Sequence, residues 1–144
     1  MGLHYFHVST LPKRYDIAWC RFPLDGGTAP GKKLRPVLVR ATKIDTESDR
    51  SAVVVSYGTS NLKLGKRDRV DLVIQNSTQL TRLNLPMATR FDLDIMSIAP
   101  WCSEFFAVPP HAFSIVTGEL DDEQIARFKS KLRRREAMKQ NIGR

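Results

Sequence analysis

Two valine-rich segments, Val37 to Lys43 and Ala52 to Tyr57, flank the acidic, polar run Asp45-Thr-Glu-Ser-Asp49. Runs of β-branched residues favour extended backbone, and a polar interval between two of them reads as a hairpin with a solvated tip. Similar segments follow at Val70 to Ile74, Thr89 to Ile98 and Phe105 to Val108, broken by Gln75-Asn-Ser-Thr78, Asn84-Leu-Pro86 and Pro109-Pro110. Upstream, Asp16 to Phe22 alternates Ile17, Trp19 and Arg21 against Ala18, Cys20 and Phe22. Pro23 then stops it, as it would stop an outer strand. Many short strands at this spacing predict a mainly β fold, a small barrel or a sandwich.

One helix is predicted, at about residues 121–139. Asp121 caps it with Gln124 three residues on, acids fill the first turn, and Lys131, Arg133, Arg134, Arg135 and Lys139 crowd the later turns. Ile125, Phe128 and Leu132 recur on one face and would dock on the strands. The basic run is the other face, read either as solvation with dipole complementarity or as a nucleic-acid contact. Residues 1–13 and 140–144 are expected to be loosely held tails.

At 144 residues, 42% of them apolar, the chain fits a single domain spanning 1–144. The two cysteines, Cys20 and Cys102, make neither a metal spacing nor a disulfide framework, so reduced core thiols are expected. The N-terminal residues lack a signal-peptide pattern and no apolar run is of membrane-spanning length, which predicts a cytoplasmic protein without a membrane partner. With 23 Lys+Arg against 15 Asp+Glu, the net charge of +8 favours a polyanionic partner. Nothing in the pattern calls for a cofactor.

Function concentrates between Phe22 and Val39. There Gly26, Gly27 and Gly31 lead into Lys32, Lys33 and Arg35, and Arg35-Pro36 opens the first valine-rich strand. A cation anchored at the base of a glycine-rich loop suits an anionic ligand. The plainer reading is a hairpin closed by glycines with a surface arginine beside it. Lys63, Lys66, Arg67 and Arg69 form a second basic stretch, either steering a phosphate backbone or simply solvated. Trp19, Phe22 and Trp101 are expected in the core rather than as base-stacking platforms. His4, His7 and His111 lie at no metal spacing and are taken as non-catalytic.

The order of these pieces carries a resemblance. Tyr15-Asp-Ile-Ala-Trp-Cys-Arg-Phe-Pro23, Gly26-Gly27, Lys33-Leu-Arg-Pro-Val-Leu-Val39, then Tyr57-Gly-Thr-Ser60, Thr89-Arg-Phe-Asp-Leu93, Ser97-Ile-Ala-Pro-Trp101 and the final helix is similar to the MazF/PemK/Kid family of toxin endoribonucleases. The resemblance covers roughly residues 15 to 135. It implies an SH3-like barrel of bent antiparallel strands, usually a homodimer, that cuts single-stranded RNA without a metal. The products it implies are a cyclic phosphate and a free 5′-hydroxyl. It also implies a cognate antitoxin whose acidic, poorly ordered tail inhibits the toxin, with DNA contacted only through that complex. The family's Arg-Pro arginine falls on Arg35, and its hydroxyl residue falls on Thr59 or Ser60. Some relatives use an arginine and aspartate near the cut phosphate, which here are Arg90 and Asp92.

The chemistry suits these residues. Attack of a ribose 2′-hydroxyl on its own phosphate builds charge on the phosphoryl oxygens, and preformed donors aimed there lower the barrier. Arg35 supplies a planar fork of donors, and Thr59 or Ser60 a neutral one. Arginine is a poor proton shuttle, so a base must come from elsewhere. Asp92 faces the same side of its strand as Arg90 and is the candidate, although Asp94 shares that face and a surface ion pair explains Arg90 and Asp92 as well. Lys32, Lys33, Arg90 and Lys63 are the expected RNA contacts. Two other classes of function fit the same barrel: a CcdB-like gyrase poison acting through its C-terminal helix, and an RNA-binding barrel that does not cut.

Overall fold

The computed structural model describes residues 2–23, 27–62 and 70–142, without the side chains of 138 and 140–142. Its strands are β1 (Asp16–Cys20), β2 (Arg35–Lys43), β3 (Ala52–Thr59), β4 (Asp71–Ile74), β5 (Thr89–Pro100) and β6 (Val116–Glu119). They form one antiparallel sheet in the order β4-β5-β3-β2-β1-β6, curled into a half-barrel. Two helices accompany it, α1 (Ser77–Arg82) and α2 (Asp122–Ile142), giving a small α+β barrel.

The valine-rich hairpin forms as its composition predicts. Val37 pairs with Tyr57 and Lys43 with Ala52, around a tip whose Asp45 accepts from Glu47, Ser48 and the Ser48 hydroxyl. The sheet bends where register slips, between Val39 and Ala41 on β2 and between Ser56 and Gly58 on β3. Such slips bend strands and raise local twist, and they let a sheet of this size curl on itself.

Both faces of the curled sheet are packed. Ile17, Trp19, Leu38, Leu72, Phe91 and Phe128 belong to one core cluster, while Ala18, Cys20, Val37, Val39, Val53 and Val55 belong to a second. The alternation read in β1 is therefore real, but each of its two sides meets its own core. Helix α2 docks on the first cluster through Phe128, with Ile125 and Leu132 packed beside it. Its N-terminus carries the predicted capping box: Asp121 Oδ1 accepts from Gln124 N at 2.8 Å, and Gln124 Oε1 accepts from Asp121 N at 2.9 Å.

Five expectations need correction. Helix α2 runs on to Ile142, so residues 140–142 continue it rather than forming a loose tail. The stretch Phe105 to Val108 is not a strand; Phe106 makes only an isolated bridge to Cys20, because Phe105 and Phe106 turn back on Cys102. Strand β6, short and glycine-interrupted, was not anticipated, and by pairing with β1 it makes β1 an interior strand rather than an outer one. The Asn-Ser-Thr interval is no simple break, since Asn76 accepts from Thr78 N and Gln79 N and so caps α1. The residues 1–13 are not a loose tail. Phe6 N donates to Trp101 O at 3.0 Å, Tyr5 bridges Cys102, and Val8 N donates to Asp49 Oδ1 at 2.8 Å. That segment covers the end of β5, where apolar Phe6 meets Trp101 with ring centroids 5.0 Å apart.

Cys20 and Cys102 are buried free thiols, and Trp19, Phe22 and Trp101 are buried core residues, as expected. Among the described residues no helix is long and apolar enough to cross a membrane.

Candidate functional site

The site is built at the end of the hairpin remote from its acidic tip. Arg35 is the first residue of β2 and pairs with Cys20 of β1. Its guanidinium carbon lies 5.3 Å from the centre of the Tyr57 ring, a cation–π arrangement, and that ring in turn packs on Phe22 at 5.4 Å. Stacking holds the guanidinium plane while its edge donors stay available. Arg35 is half-buried, with one side toward a groove of about 550 Å³ formed by Phe22, the 27–33 segment and Arg35 itself.

Lys32 and Lys33 are exposed on this groove. The segment closes against β1 through Gly31, whose amide donates to Arg21 O at 2.9 Å. A Cβ on Gly31 would stand 2.3 Å from Phe22 O, so the close approach itself requires glycine there. Gly26, Lys63, Lys66, Arg67 and Arg69 lie outside the described residues.

Register brings the hydroxyls to the same end. Val37 faces Tyr57, so two residues back along β2 and two forward along β3 lead to Arg35 and Thr59, on the face that Tyr57 occupies. Gly58 makes that proximity possible: a Cβ there would lie 2.2 Å from Pro36 O and 2.9 Å from Phe91 Cε1. Thr59 is 8% exposed, and its Oγ1 accepts from Asn61 N at 3.1 Å, leaving its own O–H free to donate. Ser60 is exposed and lies just beyond the strand.

Thr59 pairs with Arg90 of β5, which carries the same face one strand further. Arg90 is 5% exposed, Asp92 1% and Asp71 4%. Arg90 Nη1 sits 3.3 Å from Asp71 Oδ2 and 3.6 Å from Asp92 Oδ2, and Arg90 Nε donates to Asn61 O at 3.0 Å. The Arg90 and Asp92 pair therefore exists, buried rather than at the surface. Asp94, the other acid considered, pairs with Arg135 of α2 and accepts from Val70 N.

Two participants escaped sequence reasoning. Asp71 stands directly opposite Asp92 in the β4–β5 register, and a carboxylate inside the otherwise apolar Val70-Asp-Leu-Val-Ile74 was the available signal. Tyr57 ends a valine-rich segment in the sequence, and an aromatic two residues before Thr59 on one strand shares its face. The field of Asp71 also reaches α2, where it opposes the downward shift of Lys131 that burial, Arg127 and Arg134 produce.

A second groove, about 590 Å³, lies between Leu93–Met96 of β5 and Leu132–Lys139 of α2. It is larger, yet three of its four cations are engaged: Arg135 pairs with Asp94, Lys139 with Glu136 at 3.9 Å, and Arg40 donates to Ser56 Oγ and Leu93 O, leaving exposed Arg133. Burial lowers the pKa of Arg40, which stacks over Phe128 at 4.9 Å. The Arg35 groove, by contrast, offers three cations with no carboxylate among its described lining residues. An anion in it would meet Arg35 at the base and two lysines at the rim, while Thr59, on the same face at the neighbouring strand end, is not among its described lining residues. No family model matches the sequence, and no curated protein is significantly similar to it.

Proposed function

We propose that this protein is a MazF/PemK/Kid-like endoribonuclease on an SH3-like barrel, the toxin of a type II toxin–antitoxin pair. It cuts single-stranded RNA by 2′-hydroxyl attack without a metal, leaving a cyclic phosphate and a 5′-hydroxyl. The observation that carries this reading is the joint placement of Arg35 and Thr59 on one face, at the end of β2 and β3, beside a groove whose described lining residues include no acid. In this reading Arg35 binds the phosphoryl oxygens as charge grows on them, and Thr59 adds a hydrogen bond to the same oxygens. Lys32 and Lys33 draw in the backbone by charge, with Lys63 assigned the same part. Ser60 is the alternative hydroxyl.

Partners follow from the same reading: a second copy forming a homodimer, an antitoxin with an acidic disordered tail, and DNA only through that complex. The cytoplasm is where such a protein would act. The test is incubation of single-stranded RNA with the protein in excess chelator, followed by analysis of the ends. A cyclic phosphate supports the reading, and intact RNA rejects it.

One observation favours a second reading. Asp92, the candidate base, is buried against Arg90. A barrel whose acid is committed to an internal ion pair suits RNA binding without cleavage, which would appear as salt-sensitive binding with no products.

A further inference from the structure

We infer that Arg90 is a positioning residue: clamped between Asp71 and Asp92, it holds the end of β3 in place through the carbonyl of Asn61. The inference rests on the endoribonuclease reading and deepens it, because Arg90 then acts on the Thr59 hydroxyl rather than on RNA.

The cluster has an unusual charge order. Asp71 and Asp92 are cross-strand partners, and like charges directly opposite one another destabilise a sheet. Both are almost fully buried, which raises that cost. Arg90 Nη1 lies within 3.6 Å of an oxygen of each, and Asp92 Oδ1 also accepts from Asp94 N. The head of the guanidinium is thereby held by charge between carboxylates of two strands, at ion-pair rather than hydrogen-bond geometry.

With the head fixed, Nε points to the chain leaving β3 and donates to Asn61 O at 3.0 Å. Asn61 is also the residue whose amide donates to Thr59 Oγ1. The three-residue stretch Thr59-Ser60-Asn61 is thus held at its carbonyl by Arg90 and at its amide by Thr59 itself. On its other side, Gly58 is wedged between Pro36 O and Phe91. The orientation of the Thr59 hydroxyl is set by these two restraints together. A guanidinium 5% exposed and directed inward offers no donor fork to a passing phosphate.

Lysine at position 90 is the diagnostic change. It keeps the charge that the two aspartates require, but all its N–H donors sit on one nitrogen, and it has none at the position of Arg90 Nε to reach Asn61 O while its ammonium sits between them. For Arg90→Lys the expected result on single-stranded RNA in excess chelator is a fall in kcat of about 100-fold, the size of effect that small misplacement produces. Affinity for RNA should stay within about twofold. Hydrogen exchange at the Asn61 amide should quicken in the same variant. A parental kcat together with parental exchange at Asn61 overturns the inference.

The charge-balanced variant Arg90→Gln with Asp71→Asn serves if the lysine variant does not fold, and it tests the contrary role while leaving the candidate base Asp92 in place. Were Arg90 an RNA contact, this variant would weaken binding and flatten the salt dependence by about 0.7 in logarithmic slope; an unchanged slope with slowed cleavage supports positioning. If the parent protein leaves RNA intact, the endoribonuclease reading fails by itself. Exchange at Asn61 then decides the clamp alone: faster in Arg90→Lys supports it, unchanged rejects it.

Discussion

The guanidinium of Arg35 lies over the ring of Tyr57, 5.3 Å from its centre, at the end of the hairpin where β2 begins and β3 is about to finish. A long, flexible cation is thereby given a fixed plane before any ligand arrives. Order that exists before binding does not have to be imposed during it. Tyr57→Ala is expected to leave the fold intact, because Tyr57 is only partly buried, and to weaken RNA binding and cleavage together by about 5- to 30-fold, the worth of one cation–π contact of 1–2 kcal/mol. Tyr57→Phe retains the ring face and should behave like the parent. Steady-state cleavage of a labelled oligonucleotide checks both.

Thr59, rather than Ser60, is predicted to supply the hydroxyl, since it shares the face of Tyr57 and Ser60 does not. Thr59→Val should lower kcat by about 100-fold, the usual loss for one preformed donor to a developing charge, while Ser60→Ala stays within a few-fold. Thr59→Ser should recover most of the rate. The opposite order of the two variants would move the assignment to Ser60.

Gly58→Ala is expected to destabilise by about 1–3 kcal/mol, through overpacking against backbone and a buried ring that do not yield readily. The clash is with Pro36 O at 2.2 Å and Phe91 Cε1 at 2.9 Å. Urea unfolding of parent and variant measures it. An unchanged midpoint would mean that β2 and β3 are further apart than described.

How far these features could be read beforehand differs by kind. The hairpin from Val37 to Tyr57 and the capping box of α2 are local, set by β-branched runs and by two side chains three residues apart. Both were legible. Strand β6 was not, because Val116-Thr-Gly-Glu119 carries a single apolar residue and owes its place to pairing with β1. The N-terminal segment looked loose for the same reason: its partners, Asp49, Trp101 and Cys102, are all distant in sequence. Within the site, Arg35 stood out through its glycine loop and Arg-Pro motif. Asp71 did not, since only the β4–β5 register shows that it faces Asp92.

Acid should release the N-terminal segment in a specific pH window. Hydrogen bonds that the Glu104 carboxylate accepts from His4, from ring Nδ1 at 2.5 Å and from the amide at 2.9 Å, hold the Glu104 carboxyl down to about 2. An unfolded glutamate titrates near ~4.3, so this contribution is complete above that value and is lost as pH falls from there toward 2. Hydrogen exchange at the His4 and Phe6 amides should accelerate across that window, and Glu104→Gln should abolish the dependence. Flat exchange in the parent protein would contradict the contact.

The thiols should be inert in the folded protein. Burial raises the pKa of Cys20 and of Cys102, and thiol reactivity follows the thiolate. Labelling with a maleimide at neutral pH should therefore proceed only in denaturant, with two cysteines modified per chain. Rapid labelling of the native protein would place a cysteine outside the core.

The most direct test of a phosphate-centred site is the cleavage rate of Arg35→Ala on single-stranded RNA in excess chelator, measured beside the parent with the fold verified by unfolding midpoint. A protein that works as proposed loses cleavage by at least ~100-fold, as expected when the principal charged donor to the transition state is removed, and the parent leaves cyclic-phosphate ends. Cleavage by Arg35→Ala at the parental rate would contradict the account.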